Sequence, residues 1–354
     1  MKKVFLITLI TISIFTNTKA QYISFDQLVK SGSLDATKLL QSYSEPIFKG
    51  FGTGLNSGWN NTAKTKDFLH LELRVSATVA QIPIEDQYFD VTKIGLSNHI
   101  QIDPSSPSLV APTFGGSTTS SLPILDVKDD YGHKISTFTM PQGISQYVPA
   151  PNVQLSVGIG LNTDVTIRTT PTINLPFDVG TINIIGFGIK HDIMRDIFNG
   201  DDNYGLEQYV PFDLAIAANY NQINFSRHLD VQPEYNTYPI PGSLQDFTTQ
   251  KYTGTFTGKN LQLIASKQFG IFTTFISAGY QIATTNVNLY GNYPITVAPG
   301  YYQNFPTPVH ISETSISGFR ADVGFQLDLW ILKIYGSVSQ GQYLSANAGV
   351  GLGF

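Results

Sequence analysis

The closing segment of the chain, Leu344 to Phe354, alternates strictly in residue character. Leu344, Ala346, Ala348, Val350, Leu352 and Phe354 share one face of a strand, and Ser345, Asn347, Gly349, Gly351 and Gly353 share the other. A two-faced strand that stops on an aromatic residue reads as the closing strand of a transmembrane β-barrel. No long apolar run follows residue 15, so membrane insertion requires a barrel rather than helices.

The same pattern recurs through the chain. From Val153 to Arg168, Val153, Leu155, Val157, Ile159, Leu161, Val165 and Ile167 form one face, interrupted at Thr163, and Asp164 and Arg168 lie on the other. From Leu69 to Val79, five aliphatic residues and Ala77 oppose His70, Glu72, Arg74, Ser76 and Thr78, and from Phe319 to Leu329 an apolar face opposes Arg320, Asp322, Gln326 and Asp328. Charges keep to one face in each case. A lipid-facing charge costs up to ~2–4 kcal/mol at mid-bilayer, so His70, Glu72, Arg74, Asp164, Arg168, Arg320 and Asp322 are assigned to the lumen. Two roles fit them: a gating or guiding network, or a ladder of ion pairs that satisfies buried charge, and the second is favoured.

Further strands are expected at Tyr88–Ile102, Leu122–Val127, Lys134–Met140, Thr181–Ile189, Phe212–Phe225, Tyr252–Lys267, Phe272–Asn288, Val309–Phe319, Leu332–Ser339 and Tyr343–Phe354. The fold class is therefore all-β, a transmembrane antiparallel barrel of about 12–14 strands, an even number being expected.

At the amino end, Met1-Lys2-Lys3, an apolar run from Val4 to Phe15 and Thr18-Lys19-Ala20 read as a secretory signal peptide over residues 1–20. Removing the +3 of Lys2, Lys3 and Lys19 from the formal −5 leaves −8, which disfavours nucleic acid as a partner. Cysteine is absent, so neither a lipid-modified amino-terminal Cys nor a disulfide framework is expected. Only 13% of residues are charged, against 23 Phe and 18 Tyr, and these apolar groups are dispersed at period two.

Residues 21–67 do not alternate. Leu34, Leu39, Leu40, Tyr43 and Ile47 recur at helical spacing after Ser33 or Asp35 as a cap, with a disturbance at Pro46; a flexible glycine-rich stretch, Gly50 to Trp59, follows. Too small to fold alone, this segment is assigned as a helical and Gly-rich plug in the lumen of the barrel at 68–354, with Leu34, Leu39, Leu40, Tyr43 and Trp59 as its packing residues. With the carboxyl terminus in the periplasm, Ser226–Gln250 and Leu289–Pro308 become extracellular loops and Gln268-Phe269-Gly270 a periplasmic turn. Lys190–Pro211 is then a periplasmic connection, in which Ile193, Ile197 and Phe198 suggest a short amphipathic helix, resting on the membrane or merely connecting strands. Tyr290, Tyr293, Tyr301, Tyr302 and Phe305 serve either as interfacial girdle residues, the favoured role, or as a stacking surface for sugars or a protein.

Catalysis and cofactors are not expected. His70, His99, His133, His191, His228 and His310 show no metal-binding spacing, and no Gly-x-Ser-x-Gly elbow occurs. Asp129-Asp130 and Asp201-Asp202 sit beside Gly or Asn, where solvated turn acids are the default. Gly50-Phe51-Gly52-Thr53-Gly54 follows no strand of a βαβ unit and so is not read as a phosphate loop.

A plug ahead of an even-stranded barrel resembles the FadL-type long-chain fatty-acid channels of Gram-negative outer membranes. Lys49 to Gly52, Gly54 to Ala63, Ala111-Pro112-Thr113-Phe114-Gly115, Pro149-Ala150-Pro151 and Phe187 to Asp192 resemble more closely an uncharacterised family of Bacteroidetes outer-membrane β-barrels. The resemblance implies an outer-membrane location, lipid as surroundings and passive uptake of a small hydrophobic ligand through a plugged channel. That reading requires an apolar pocket between the Leu34–Ile47 helix and the lumen wall. The alternative is a non-transporting accessory subunit of an outer-membrane secretion or assembly complex, docking through Lys190–Pro211 or Leu289–Pro308.

Overall fold

The computed structural model describes residues 33–175, 180–198, 212–243 and 245–353. The expected leader, Asp201-Asp202 and most of the connection after Lys190 lie outside the described residues.

Ten strands close into one antiparallel barrel: β1 (Leu71–Gln81), β2 (Tyr147–Gly160), β3 (Thr163–Leu175), β4 (Gly180–Asp192), β5 (Asp213–His228), β6 (Lys251–Phe269), β7 (Phe272–Tyr290), β8 (Val309–Leu329), β9 (Leu332–Gln340) and β10 (Leu344–Gly353). Each strand pairs with its neighbour in sequence. β1 completes the ring by pairing with both β2 and β10, in register from Glu72 opposite Gly353 to Gln81 opposite Leu344. Each strand thereby has a partner on both sides, as a sheet surrounded by hydrocarbon requires, except that β8 from Val309 to Arg320 rises past the end of β9.

The count of ten replaces the expected 12–14 for two reasons. The candidates at Tyr88–Ile102, Leu122–Val127 and Lys134–Met140 contain only short strands, of three to six residues, whereas a tilted span needs about 9–11. They form two small sheets outside the barrel: Tyr88–Asp90 pairs with Val110–Pro112, and Ile124–Lys128 lies between Ile100–Ile102 and Lys134–Thr139. In the opposite direction, the run from Val153 to Arg168 is not one strand but a hairpin. Leu161 and Asn162, both at positive φ (49° and 50°), make its two-residue turn. The turn and a bulge between Gly158 and Gly160 preserve odd-even parity, so alternation continues through the reversal.

The long connections at 82–146, 229–250 and 291–308 lie at one end of the barrel, here the loop end, and the tight turns at 161–162, 270–271 and 330–331 lie at the other, together with the connection at 193–212. The turn end carries Gly270-Ile271 and Trp330-Ile331 together with the short helix α2 (Ile193–Phe198), which realises the start of the helix expected after Lys190. Exposed Phe68, Phe269, Phe272 and Trp330 gather there, as an interfacial aromatic girdle does. At the loop end, Tyr238–Pro239, Asn292–Ala298 and Tyr301–Pro306 form a third small sheet. Tyr293 and Tyr302 are buried, Tyr293 in the cluster that α1 forms with the barrel wall, while Tyr290 and Tyr301 are exposed, so part of the aromatic set serves packing rather than a girdle.

The barrel is taller on one side. β1, β9 and β10 have 9–11 residues, but β6 and β7 have 19 each and β8 has 21. Outward residues near the turn end are aliphatic, including Leu73, Leu155, Leu263, Ile276, Val323 and Val350, all exposed. Toward the loop end the outward face becomes polar, with side-chain hydrogen bonds between Asn183 and Asn224, Asn286 and Ser312, and Asn288 and His310. The tall wall therefore continues beyond the apolar band.

Helix α1 (Ser33–Leu55) contacts β1, β2, β6, β7 and β8, strands spread around the ring, and so lies within the barrel. It continues through Pro46 and through Gly50, Gly52 and Gly54, where the sequence suggested a flexible stretch. Its twenty-three residues span about 34 Å. Glycines are used because the wall is too close for anything larger. A β-carbon would lie 2.5 Å from Val148 at Gly50 and 2.3 Å from Ala150 at Gly54, both on β2, and 2.5 Å from Ala283 of β7 at Gly52. Packing thus overrides the weak helix propensity of glycine, about 1 kcal/mol per residue.

Gly52→Leu is expected to destabilise the barrel by about 1–3 kcal/mol through overpacking. The temperature at which the purified protein loses its folded gel mobility would fall, and Gly318→Ala, where a β-carbon meets nothing within 4 Å, would leave it unchanged.

Candidate functional site

The end of α1 poses a chemical problem. The last carbonyls of a helix have no intrahelical donor, and these are enclosed in the lumen. Ser57 Oγ and Trp59 Nε1 donate to Thr53 O and Leu55 O, and three arginines from separate wall strands supply further donors to the last turn of α1 and to residues 57–59 just beyond it. Arg168 of β3 donates to Leu55 O at 3.3 Å and Ser57 O at 2.9 Å, Arg74 of β1 to Gly58 O at 3.4 Å and Trp59 O at 3.5 Å, and Arg320 of β8 to Thr53 O at 3.4 Å. The positive groups also face the negative end of the helix dipole.

Each arginine is held differently. Arg74 pairs with Glu72 at 2.8 Å and lies over the Tyr335 ring at 4.1 Å, and the Tyr335 hydroxyl donates to Glu72 at 2.9 Å. Arg320 pairs with Asp322 at 2.6 Å, whose carboxylate also accepts from Ser277 and Gln262, and donates to Ser339 at 2.6 Å. Arg168 is wholly buried and makes its polar contacts with carbonyl and amide oxygens, Gln154 and Asn152 among them. Its guanidinium stacks 3.7 Å above the Trp59 ring, a contact that suits a weakly hydrated planar cation.

Nearer the turn end, Asp164 accepts from the Lys66 backbone at 2.8 Å and pairs with the Lys66 and Lys190 ammonium groups at 3.4 and 3.2 Å. Lys190 also donates to Thr62 O and Lys64 O. The chain between α1 and β1 is thereby tied to the wall along its length.

Six of the seven residues assigned to the lumen face it, but two expectations need correction. His70 precedes β1, is exposed, and takes no part in the network with Glu72 and Arg74. Asp164 and Arg168, on one face of the same strand, do not pair with each other; four positions apart means about 13 Å, and each is held by the enclosed segment and by its in-register neighbour on the adjoining strand, Lys190 for Asp164 and Gln154 for Arg168. Of the plug residues, Leu40 and Trp59 pack in the lumen, and Tyr43 is buried with its hydroxyl donating to Gln142 O at 2.9 Å. Leu39 packs outside it, with Val91, Ile100, Leu125, Val127, Phe138 and Met140 of the loop-end sheets. Leu34 is 63% exposed and belongs to neither cluster.

Lys66, Lys190, Lys333 and Tyr335 join the site without having been singled out in the sequence; Lys333 pairs with Glu72 at 3.6 Å and Asp328 at 3.2 Å. For Lys190, Lys333 and Tyr335 the signal was parity, since each falls on the inward face of its strand; Lys66 lies on no strand and carried none.

The expected apolar pocket is filled by side chains. Leu40, Phe48 and Leu55 of α1 pack against Ile184, Ile223, Phe256, Val287 and Ile311 of the wall, with Phe48 and Phe51 5.9 and 5.2 Å from the Phe256 ring.

These features define a class: a closed ten-stranded antiparallel barrel whose lumen holds its own amino-terminal helix by arginine–carbonyl contacts. The chain belongs to a family of unknown function, DUF6588, whose profile matches residues 1–354. No curated protein matches the sequence. Among solved structures, the attachment invasion locus protein Ail of Yersinia pestis, crystallised with the heparin analogue sucrose octasulfate, is 7% identical, with 81% of this chain and 100% of that one covered and a TM-score of 0.27. The translocator domain of the autotransporter NalP from Neisseria meningitidis is 7% identical over 85% and 90% of the two chains, with a TM-score of 0.29. A mutant porin of Rh. blastica is 9% identical over 81% and 99%, with a TM-score of 0.18.

Arg168→Ala removes the guanidinium donor from Ser57 O and leaves Leu55 O with Trp59 Nε1 alone, and is expected to weaken the seating of α1 by about 1–3 kcal/mol. Hydrogen exchange would quicken at the α1 amides while β6 and β7 stay protected, and Arg168→Lys, a smaller donor, would fall between.

Proposed function

We propose that the chain is an integral outer-membrane barrel, shut by α1 in its resting state, that holds a folded head at the cell surface and performs no catalysis. The observation that carries this reading is the convergence of Arg74, Arg168 and Arg320 on the end of α1: a helix fastened from three sides is a built closure. The apolar outer band, the polar turn-end lumen and the sealed ring support the membrane location. The secretory leader read at residues 1–20 is consistent with it.

The head consists of the small sheets at 82–146 and the sheet formed by 238–239, 292–298 and 301–306. α1 joins it to the lumen: Asp35 accepts from the Ser97 amide at 2.8 Å and hydroxyl at 2.5 Å, Lys38 donates to Gly95 O, and Leu39 sits in the head's core. A permanently shut barrel with such a head suits a non-transporting subunit of a surface assembly.

A second reading is favoured by one feature, the apolar wall of the loop-end lumen at Ile184, Ile223, Phe256, Val287, Leu289 and Ile311. That wall suits a small hydrophobic ligand in the manner of the FadL-type channels the sequence resembles, provided α1 withdraws.

In planar bilayers the wild-type barrel is expected to conduct no current, and the Arg74→Ala/Arg168→Ala/Arg320→Ala variant to show fluctuating openings. Steady wild-type conductance would overturn the closure. Uptake of a fluorescent fatty acid by cells carrying the wild-type barrel, absent without it, would favour the channel. The direction of α1 gives a separate expectation: Ser33 lies at the loop end and Leu71 starts β1 at the turn end, so an epitope inserted before Ser33 should bind antibody on intact cells.

A further inference from the structure

The outer wall carries one feature that closure of the lumen does not use. Between β4 and β7 lies a shallow groove of about 610 Å³. Ala218 forms its floor and stands in register with Ile189 on one side and Leu261 on the other. Phe187, Tyr220 and Tyr280 rise around this small residue, so the depression follows from one short side chain among long ones. The next row toward the loop end reads Phe187, Tyr220, Lys259, Ile282, and Lys259 is exposed at the rim of the groove.

Lys259 occupies an unusual position. Its neighbours of equal parity on β6 are Leu261 and Leu263 toward the turn end and Thr257 and Thr255 toward the loop end, so it marks the border of the apolar band. Lys267, beside Phe269, marks the other border on the same strand. Eight residues at about 3.3 Å each, tilted by about 40°, separate the two by about 20 Å in height, close to the thickness of an apolar band. Among the described residues no carboxylate pairs with Lys259, and its stem lies beside apolar neighbours with the ammonium free to reach headgroup depth.

We propose that this groove binds an anionic lipid of the surrounding membrane, with one acyl chain against Ala218 and the phosphate on Lys259. The proposal rests on the membrane-barrel reading. The commitment to a lipid follows from the groove's place on the hydrocarbon-facing wall, and the commitment to an anionic headgroup from an unpaired cation at headgroup level. The hydroxyl of Tyr220, which donates to Gln222 at 2.8 Å, and the Gln222 amide lie beside it as further polar groups at the same border.

The test is native mass spectrometry of the detergent-purified full-length barrel with phosphatidylglycerol or phosphatidylcholine added at equal concentration. The wild type is expected to retain one phosphatidylglycerol in preference to phosphatidylcholine. Lys259→Gln should lower that retention about fivefold, and Ala218→Phe, which fills the groove, should abolish it. Lys267→Gln at the opposite border should change nothing. Equal retention of the two lipids by the wild type, or unchanged retention in Lys259→Gln, would overturn the lipid site while leaving the membrane reading intact. A dimer that disappears in Ala218→Phe and carries no lipid would assign the groove to a second copy instead. A protein that stays monodisperse without detergent would sink the membrane reading itself.

Discussion

Everything in the lumen depends on how the end of a buried helix is satisfied. Carbonyls that water would otherwise solvate face a filled barrel, and an unpaired buried polar group costs on the order of 1–3 kcal/mol. Guanidinium groups meet this need better than ammonium groups, because a rigid fork of five donors reaches two carbonyls while still gripping the wall. Arg168 shows the principle in its barest form. Its contacts are to backbone and amide oxygens and to the Trp59 face, so its charge is balanced by aligned dipoles.

Two halves of the lumen follow from that anchorage. Toward the turn end, the wall is polar and fastens the chain between α1 and β1 through Glu72, Asp164, Lys66 and Lys190. Toward the loop end, the wall is apolar and packs the stripe of Leu40, Phe48 and Leu55. Beyond the barrel the helix continues into the head, where Leu39 and Asp35 are held. Head, helix and wall are therefore one mechanical piece, and a load on the head is borne by the arginines.

The parts that alternation can report were legible in the sequence. Two-faced strands, inward charges and the closing strand at Leu344 all follow from period two, which any sealed barrel in lipid must obey. What parity cannot report was lost. A two-residue turn with a bulge at Leu161-Asn162 keeps parity, so one hairpin read as one strand, and short strands such as Tyr88–Asp90 alternate as well as long ones. Gly50, Gly52 and Gly54 suggest flexibility locally, and only the nearness of Val148, Ala283 and Ala150 turns them into a helix. Arg168 was found as an inward charge, but its partners were sought among carboxylates. Backbone carbonyls leave no mark in a sequence, so its role as a helix anchor was invisible.

The anchorage also bounds what transport through this barrel would require. Charged hydrogen bonds contribute roughly 1.5–3 kcal/mol each, and three arginines released together cost about 5 kcal/mol or more before any apolar packing is counted. An unaided open state is then populated below about one part in a thousand. A ligand that binds only the open wall must offset that difference through its own contacts, and a small hydrophobe gains most of its binding from the same wall positions that Leu40, Phe48 and Leu55 already fill. Spontaneous exchange of helix for ligand is therefore close to neutral in apolar contact and unfavourable by the arginine contacts. Under the proposed function, opening would need work supplied to α1 from outside the barrel, and α1 leaves the barrel only at the head, where Asp35 and Leu39 are held.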